Sequence, residues 1–79
     1  MIVTIHGSDL QIEYSPGETL ASIRQRVVSL SDSTGPKNPP AEIWEIRDRE
    51  GYEVDSSKLV MDVIARSPFT LSLPIGHGA

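Results

Sequence analysis

The apolar residues Leu20, Ile23, Val27 and Leu30 recur at spacings of three, four and three. That period lays a single stripe along an amphipathic helix, with Ala21 and Val28 off the stripe. Thr19 stands just before it and predicts the N-cap, its hydroxyl accepting a backbone N–H. Ser15-Pro16-Gly17-Glu18 breaks whatever comes earlier. No other stretch carries so long a helical period, so one main helix has to be covered by strands. The chain has 79 residues, room for one small domain. A domain of that size buries only about 60% of its surface, and its 38% hydrophobic residues have to serve one core.

The flanking segments read as strands. Over Met1 to His6, Met1, Val3 and Ile5 share one face, while Ile2, Thr4 and His6 share the other. Gly7-Ser8-Asp9 is turn chemistry. Leu10-Gln11-Ile12-Glu13-Tyr14 then alternates, with Leu10, Ile12 and Tyr14 inward, so the two runs predict a hairpin. After the helix, Ser31 to Pro40 holds three prolines, one glycine and five small polar residues, and predicts a long irregular crossover. Glu42 to Asp48 predicts a third strand whose orientation follows from parity. With Ile43 inward, Glu45 and Arg47 would follow it into the core at prohibitive cost. With Trp44 and Ile46 inward the charges stay in water, and Ile43 faces out. Asp48 to Gly51 is a polar turn, and Tyr52-Glu53-Val54 a short edge strand. Asp55-Ser56-Ser57 precedes a helical turn within Lys58 to Arg66, capped by one of those three residues. In Phe69 to Leu73, Phe69, Leu71 and Leu73 point inward and no charge interrupts, which suits a central strand. Pro74 ends it.

Strand, strand, helix, strand, short strand, helical turn, strand is the order of an α+β domain with the helix on one sheet face. The first and last strands are expected at the centre of a mixed sheet. A parallel pairing between them needs a crossover that contains the helix. Residues 1–74 form this domain, and residues 75–79 are expected to be a flexible tail.

The composition narrows function. There are no cysteines, hence no disulfide, thiol nucleophile or thiolate metal site. Seven basic residues against eleven acidic give a formal charge of −4, and the basic ones do not cluster, which argues against a nucleic-acid partner. No apolar run approaches the ~20 residues of a membrane span, and the first residues lack signal-peptide character. The expected setting is the cytoplasm, without membrane contact. His6 and His77 stand apart from any serine–aspartate grouping or ligand spacing. No catalytic set, metal site or cofactor is therefore expected, and an enzyme is disfavoured. The acidic run with Arg47 and Arg49 interleaved reads as a solvated face, and Trp44 reads as core. Ile2, Ile43, Glu45 and Arg47 form the candidate partner surface, with Ile2 and Ile43 as a small outward apolar patch.

In order and at near-equal spacing, the chain resembles ubiquitin over nearly all its length. The features are a Met-led first strand, a second strand ending at Pro16, and Thr19-Leu20 at the helix start. They continue with Pro39-Pro40 after the helix loop, a third strand with a polar turn, a Leu59 to Ile64 helical turn and a leucine-alternating last strand. The resemblance implies a ubiquitin-like β-grasp, a mixed four- to five-stranded sheet with one main helix packed on one face. The tail is similar to those of bacterial ubiquitin-like proteins that act with activating, conjugating and deconjugating enzymes.

The resemblance implies a protein modifier. In that family a C-terminal glycine carboxylate is adenylated by an activating enzyme, passed to an enzyme nucleophile and joined to an amine of a target protein. Here Gly78 is the conjugating residue once a processing protease removes Ala79, and Gly76 and His77 are read as tail recognition. Lys37 and Lys58 are the side-chain amines for chains on itself. The sequence departs from the family in ending Gly78-Ala79, in a short tail without arginine, and in its docking patch. Ser8, Glu45, Thr70 and Ser72 stand where ubiquitin is apolar. The alternatives are a non-covalent interaction module and a sulfur carrier bearing a C-terminal thiocarboxylate.

Overall fold

The computed structural model describes residues 1–74. Its elements are β1 (Ile2–Ile5), β2 (Ser8–Gln11), α1 (Leu20–Thr34), β3 (Glu45–Arg47), α2 (Val60–Val63) and β4 (Phe69–Ser72), with single 3-10 turns at Ala41–Ile43 and Ile64–Arg66. The sheet order is β2-β1-β4-β3. β1 and β4 pair in parallel at the centre, with β2 and β3 antiparallel outside them. This is an α+β, β-grasp-like architecture: a mixed four-stranded sheet with one main helix on one face.

The first hairpin turns one residue earlier than the sequence suggests. Ile5 pairs with Ser8, leaving His6-Gly7 as a two-residue loop. Both take positive φ, 52° and 78°, the mark of the turn whose twist matches a hairpin. His6 is therefore a turn residue and Ser8-Asp9 belong to β2. The second strand also stops sooner. Ile12 is buried, Leu10 half-buried, but Tyr14 is exposed, because pairing ends before it.

Helix α1 starts as predicted. Thr19 caps it, its Oγ1 accepting from the Ser22 amide at 3.3 Å. Glu18 reinforces the start, accepting from the Ser15 amide at 3.0 Å and the Ser22 hydroxyl at 2.7 Å. Leu20, Ile23, Val27 and Val28 are buried. Leu30 lies on the same stripe yet is 50% exposed, because its stretch of helix borders an open cleft. The helix also continues through Ser31–Thr34, which the sequence assigns to an irregular crossover. The Ser33 and Thr34 hydroxyls bond the Leu30 carbonyl, at 2.7 and 3.4 Å, so these polar residues satisfy themselves inside the last turn. Pro36 then disfavours helical backbone at Gly35, leaving Gly35 to Pro40 as the loop.

The parity argument holds at the third strand: Trp44 and Ile46 are each 3% exposed, while Glu45 and Arg47 stay at the surface. The strand is shorter than expected, since Ala41–Ile43 coils into a 3-10 turn and Ile43 is half-buried rather than outward. The expected edge strand at Tyr52–Val54 reduces to one bridge, Arg47 to Glu53, with the Val54 amide on the Ile46 carbonyl at 2.8 Å. Helix α2 has no side-chain cap. Instead Asp55 accepts from the amide and hydroxyl of Ser57, both at 2.8 Å. That turn docks on the start of α1 through Leu20 N–H to Lys58 O at 3.0 Å and Val60 N–H to Glu18 O at 2.9 Å. Val3, Leu20, Val27, Val60 and Phe69 sit at the centre of the core, each under 2% exposed.

Candidate functional site

The functional question centres on where the chain leaves the sheet. β4 is held on both sides, by Val3–Phe69 and Thr4–Thr70 on one and Glu45–Ser72 on the other. Its direction parallel to β1 carries it toward the end of the sheet that also holds the His6-Gly7 turn. Leu73 and Pro74 follow there, half-buried. Gly76, His77 and Gly78 lie outside the described residues, as does the expected flexible tail.

That end of the molecule is tied together by polar contacts the sequence does not announce. Asp32 accepts from the Asn38 amide at 2.7 Å and from its side-chain Nδ2 at 2.8 Å. The Asn38 Oδ1 meets His6 Nε2 at 2.6 Å. The His6 ring stands edge-on to Trp44, centroids 5.3 Å apart at 86°. Trp44 Nε1 donates to the Pro39 carbonyl at 3.3 Å. His6 is exposed but not simply solvated, and the Gly35–Pro40 loop is pinned through Asn38 to the hairpin and through Pro39 to the core. Beside this network lies a cleft of about 600 Å³. Ile5, Leu10, Leu30 and Pro36 supply its apolar wall, with Lys37 at the rim and no carboxylate in the lining. Leu30, read from the sequence as core, is the residue whose exposure marks this cleft.

The face of the sheet away from α1 carries a row defined by register: Asp9, Thr4, Thr70 and Arg47, one from each strand. The Thr4 hydroxyl donates to Asp9 at 2.6 Å. Arg47 pairs with Glu45 at 2.8 Å and donates to the Gly51 carbonyl at 2.9 Å. The Glu45 carboxylate raises the Arg47 guanidinium above its usual range. With Ser72 half-buried beside Glu45, this face is polar throughout its middle, whereas Ser8 pairs with the buried Ile5 and lines the cleft on the helix side.

The candidate partner surface divides. Glu45 and Arg47 are together on the open face. Ile2 is 41% exposed at the opposite end of the sheet from Ile43: it pairs with Gln11 near the start of β1, whereas Ile43 precedes the β3 residue that faces Ser72. The two isoleucines form no common patch. Lys37 and Lys58 are both exposed, on the cleft rim and beside the Asp55 turn.

Asp48, which the sequence places in a solvated acidic turn, is buried at 6% exposure. It accepts from the Glu50 amide at 2.9 Å, the Tyr52 amide at 3.0 Å and Arg66 Nε at 2.8 Å. Burial pushes its carboxyl up, but the bonds from Arg66, Tyr52 and Glu50 outweigh that and hold it below the usual range. Its role is structural. Among the described residues no three of His, Asp and Glu converge as metal ligands, and no helix is long and apolar enough to cross a membrane.

No family model matches the chain. It is similar to the uncharacterized protein y4jI of Sinorhizobium fredii (strain NBRC 101917 / NGR234), 30% identical over 78 residues. That similarity takes in 99% of this chain and 58% of the relative, so the chain spans little more than half the relative's length.

Proposed function

We propose that this domain is a bacterial ubiquitin-like protein modifier, processed after Gly78, adenylated by an activating enzyme and conjugated to target proteins. The observation that supports this reading is the position of β4. A central strand, bonded on both sides, leads directly into the sequence Gly76-His77-Gly78. A carboxylate at Gly78 would then be carried on residues slim enough to enter an enzyme's buried site, with the rigid domain as handle. The Gly78 carboxylate attacks the α-phosphorus of ATP and releases pyrophosphate. An enzyme nucleophile displaces AMP, and a target amine displaces that enzyme to form an amide. The partners are the activating and conjugating enzymes and a protease for processing and deconjugation. The cytoplasm is the compartment that supplies ATP to them.

Intact-mass measurement of the protein from its native host tests the reading. The expected mass ends at Gly78, with further species shifted by whole target proteins. A chain that keeps Ala79 and never appears on a target would falsify it. A second reading, a non-covalent interaction module, is favoured by the acid-free apolar cleft beside Leu10 and Leu30. Deleting residues 76–79 separates the two: a modifier loses all function, and a module keeps it.

A further inference from the structure

The two edges of the sheet are not equivalent. Outside β3, the Glu53 bridge, the Val54 amide on Ile46 at 2.8 Å and the Asp48 amide on the Tyr52 carbonyl at 2.9 Å occupy the backbone. Outside β2 no strand pairs among the described residues. Met1 and Ile12 exchange both of their hydrogen bonds, each at 2.7 Å. Bonded and non-bonded pairs alternate along an antiparallel ladder. The register therefore places Val3–Leu10 and Ile5–Ser8 in the bonded class, and Ile2–Gln11 and Thr4–Asp9 in the other. The N–H and C=O groups of Asp9 and Gln11 point away from β1, into the open. The edge is closed at both ends. The positive-φ Gly7 turn lies before it, and beyond it the Glu13 carbonyl accepts from Arg26 Nη2 at 2.5 Å.

We propose that this edge pairs with the same edge of a second copy of the chain, antiparallel about a two-fold axis through Leu10. In that register Asp9 faces the partner's Gln11 and Gln11 faces the partner's Asp9. Each pair exchanges two main-chain bonds, and each carboxylate meets an amide donor. Centring the axis on Asp9 would oppose two carboxylates, which cross-strand pairing disfavours. The axis stands perpendicular to the sheet, so both copies keep their helices on the same side. Leu10 shares the inner face with its partner Val3 and borders the cleft that Leu30 also lines. Two clefts then merge into one trough, and Leu30, half in water in the single chain, gains a cover. The inference stands independently of the modifier reading.

Sedimentation from about 10 µM to about 1 mM follows the association by mass action. Gln11 is exposed, so its variants leave the fold intact. Gln11→Lys places a cation opposite the partner's Asp9 and is expected to dimerise at about three- to tenfold lower concentration. Gln11→Asp opposes two acids and shifts the midpoint the other way. The chain has no cysteine, so Leu10→Cys gives an unambiguous readout: mild oxidation links it into a dimer, whereas Tyr52→Cys, at an exposed site far from the edge, stays single. A chain that remains monomeric at the highest concentration overturns the proposal and leaves the edge to a foreign extended segment. Identical behaviour of the two Gln11 variants overturns it as well, and decides the matter by itself if Leu10→Cys does not fold.

Discussion

Arg66 reaches back across eighteen residues to Asp48, placing Nε at 2.8 Å and Nη2 at 2.7 Å from the same carboxylate oxygen. The other oxygen of Asp48 holds the amides of Glu50 and Tyr52. One buried carboxylate thus joins the turn after β3 to the segment that feeds β4. Removing the carboxylate strands two amides and a guanidinium, whereas removing Arg66 leaves the turn amides satisfied. Asp48→Ala is therefore expected to lower the melting temperature more than Arg66→Ala. Equal losses in differential scanning calorimetry would contradict this account.

Acid should find these carboxylates. Asp48, Glu18 and Asp55 are all held below their ordinary values, 3.8 for the aspartates and 4.5 for the glutamate. For Glu18 the Ser22 hydroxyl is the main cause and the Ser15 amide the next; for Asp55 it is the Ser57 amide. A carboxyl whose folded value is depressed stabilises the fold above its unfolded value, and that contribution is lost as pH falls through the folded one. Stability measured by denaturant melts should hold near neutrality, then decline below the ordinary values of 4.5 and 3.8. Asp48→Asn should flatten part of the decline.

The hairpin turn makes a conformational prediction free of steric complication. Gly7 has φ +78° and nothing within 4 Å of where a Cβ would stand. Gly7→Ala is expected to cost about 1 kcal/mol through backbone preference alone. Gly7→Asn should cost less, since asparagine tolerates the left-handed region. A chemical-denaturation midpoint unchanged in both variants would refute this.

Phe69 is 1% exposed on the central strand. Phe69→Ala should remove about 3–5 kcal/mol, against a total of about 5–15 kcal/mol for a domain of this kind. Much of the population is then expected to be unfolded at 37 °C by circular dichroism. Phe69→Leu, which fills most of the volume, should remain folded.

If the chain forms polymers of itself, its amines are not equivalent. Lys37 and Lys58 are exposed, but the terminal amine donates to the Ile12 carbonyl at 2.7 Å as part of the β1–β2 ladder. In a reconstituted conjugation reaction, replacing both lysines with arginine should abolish self-linked chains while leaving attachment to other targets. Persistent chains linked through Met1 would contradict it.

Much of the architecture is written in short-range pattern. Thr19 with the stripe behind it located α1, and the parity of Glu45 and Arg47 oriented β3. Uncharged alternation from Phe69 placed β4 at the centre. What the pattern missed depends on partners distant in sequence. Ser31–Thr34 reads as irregular by composition, but the Ser33 and Thr34 hydroxyls bond carbonyls one turn back. Asp48 looked like one acid among several until Arg66 arrived from eighteen residues away. Leu30 obeyed the helical period, yet whether a stripe residue meets core or solvent depends on how far the sheet extends beneath it. Ile2 and Ile43 share an outward tendency but were separated by register, which single-strand periodicity does not encode. The tail, the most distinctive stretch of the sequence, lies beyond residue 74.

The parallel contact between β1 and β4 also sets an order of events during synthesis. The hairpin and α1 can form as they emerge, but one side of β1 stays bare until residues 69–72 are made. Among the described residues β3 pairs with no strand but β4, so it too must wait. The sheet therefore closes last at its middle, when the final strand slides between two that were made long before it. A chain halted anywhere before Phe69 exposes an unpaired central edge to its neighbours, which makes incomplete translation products of this protein good substrates for aggregation or for proteolysis.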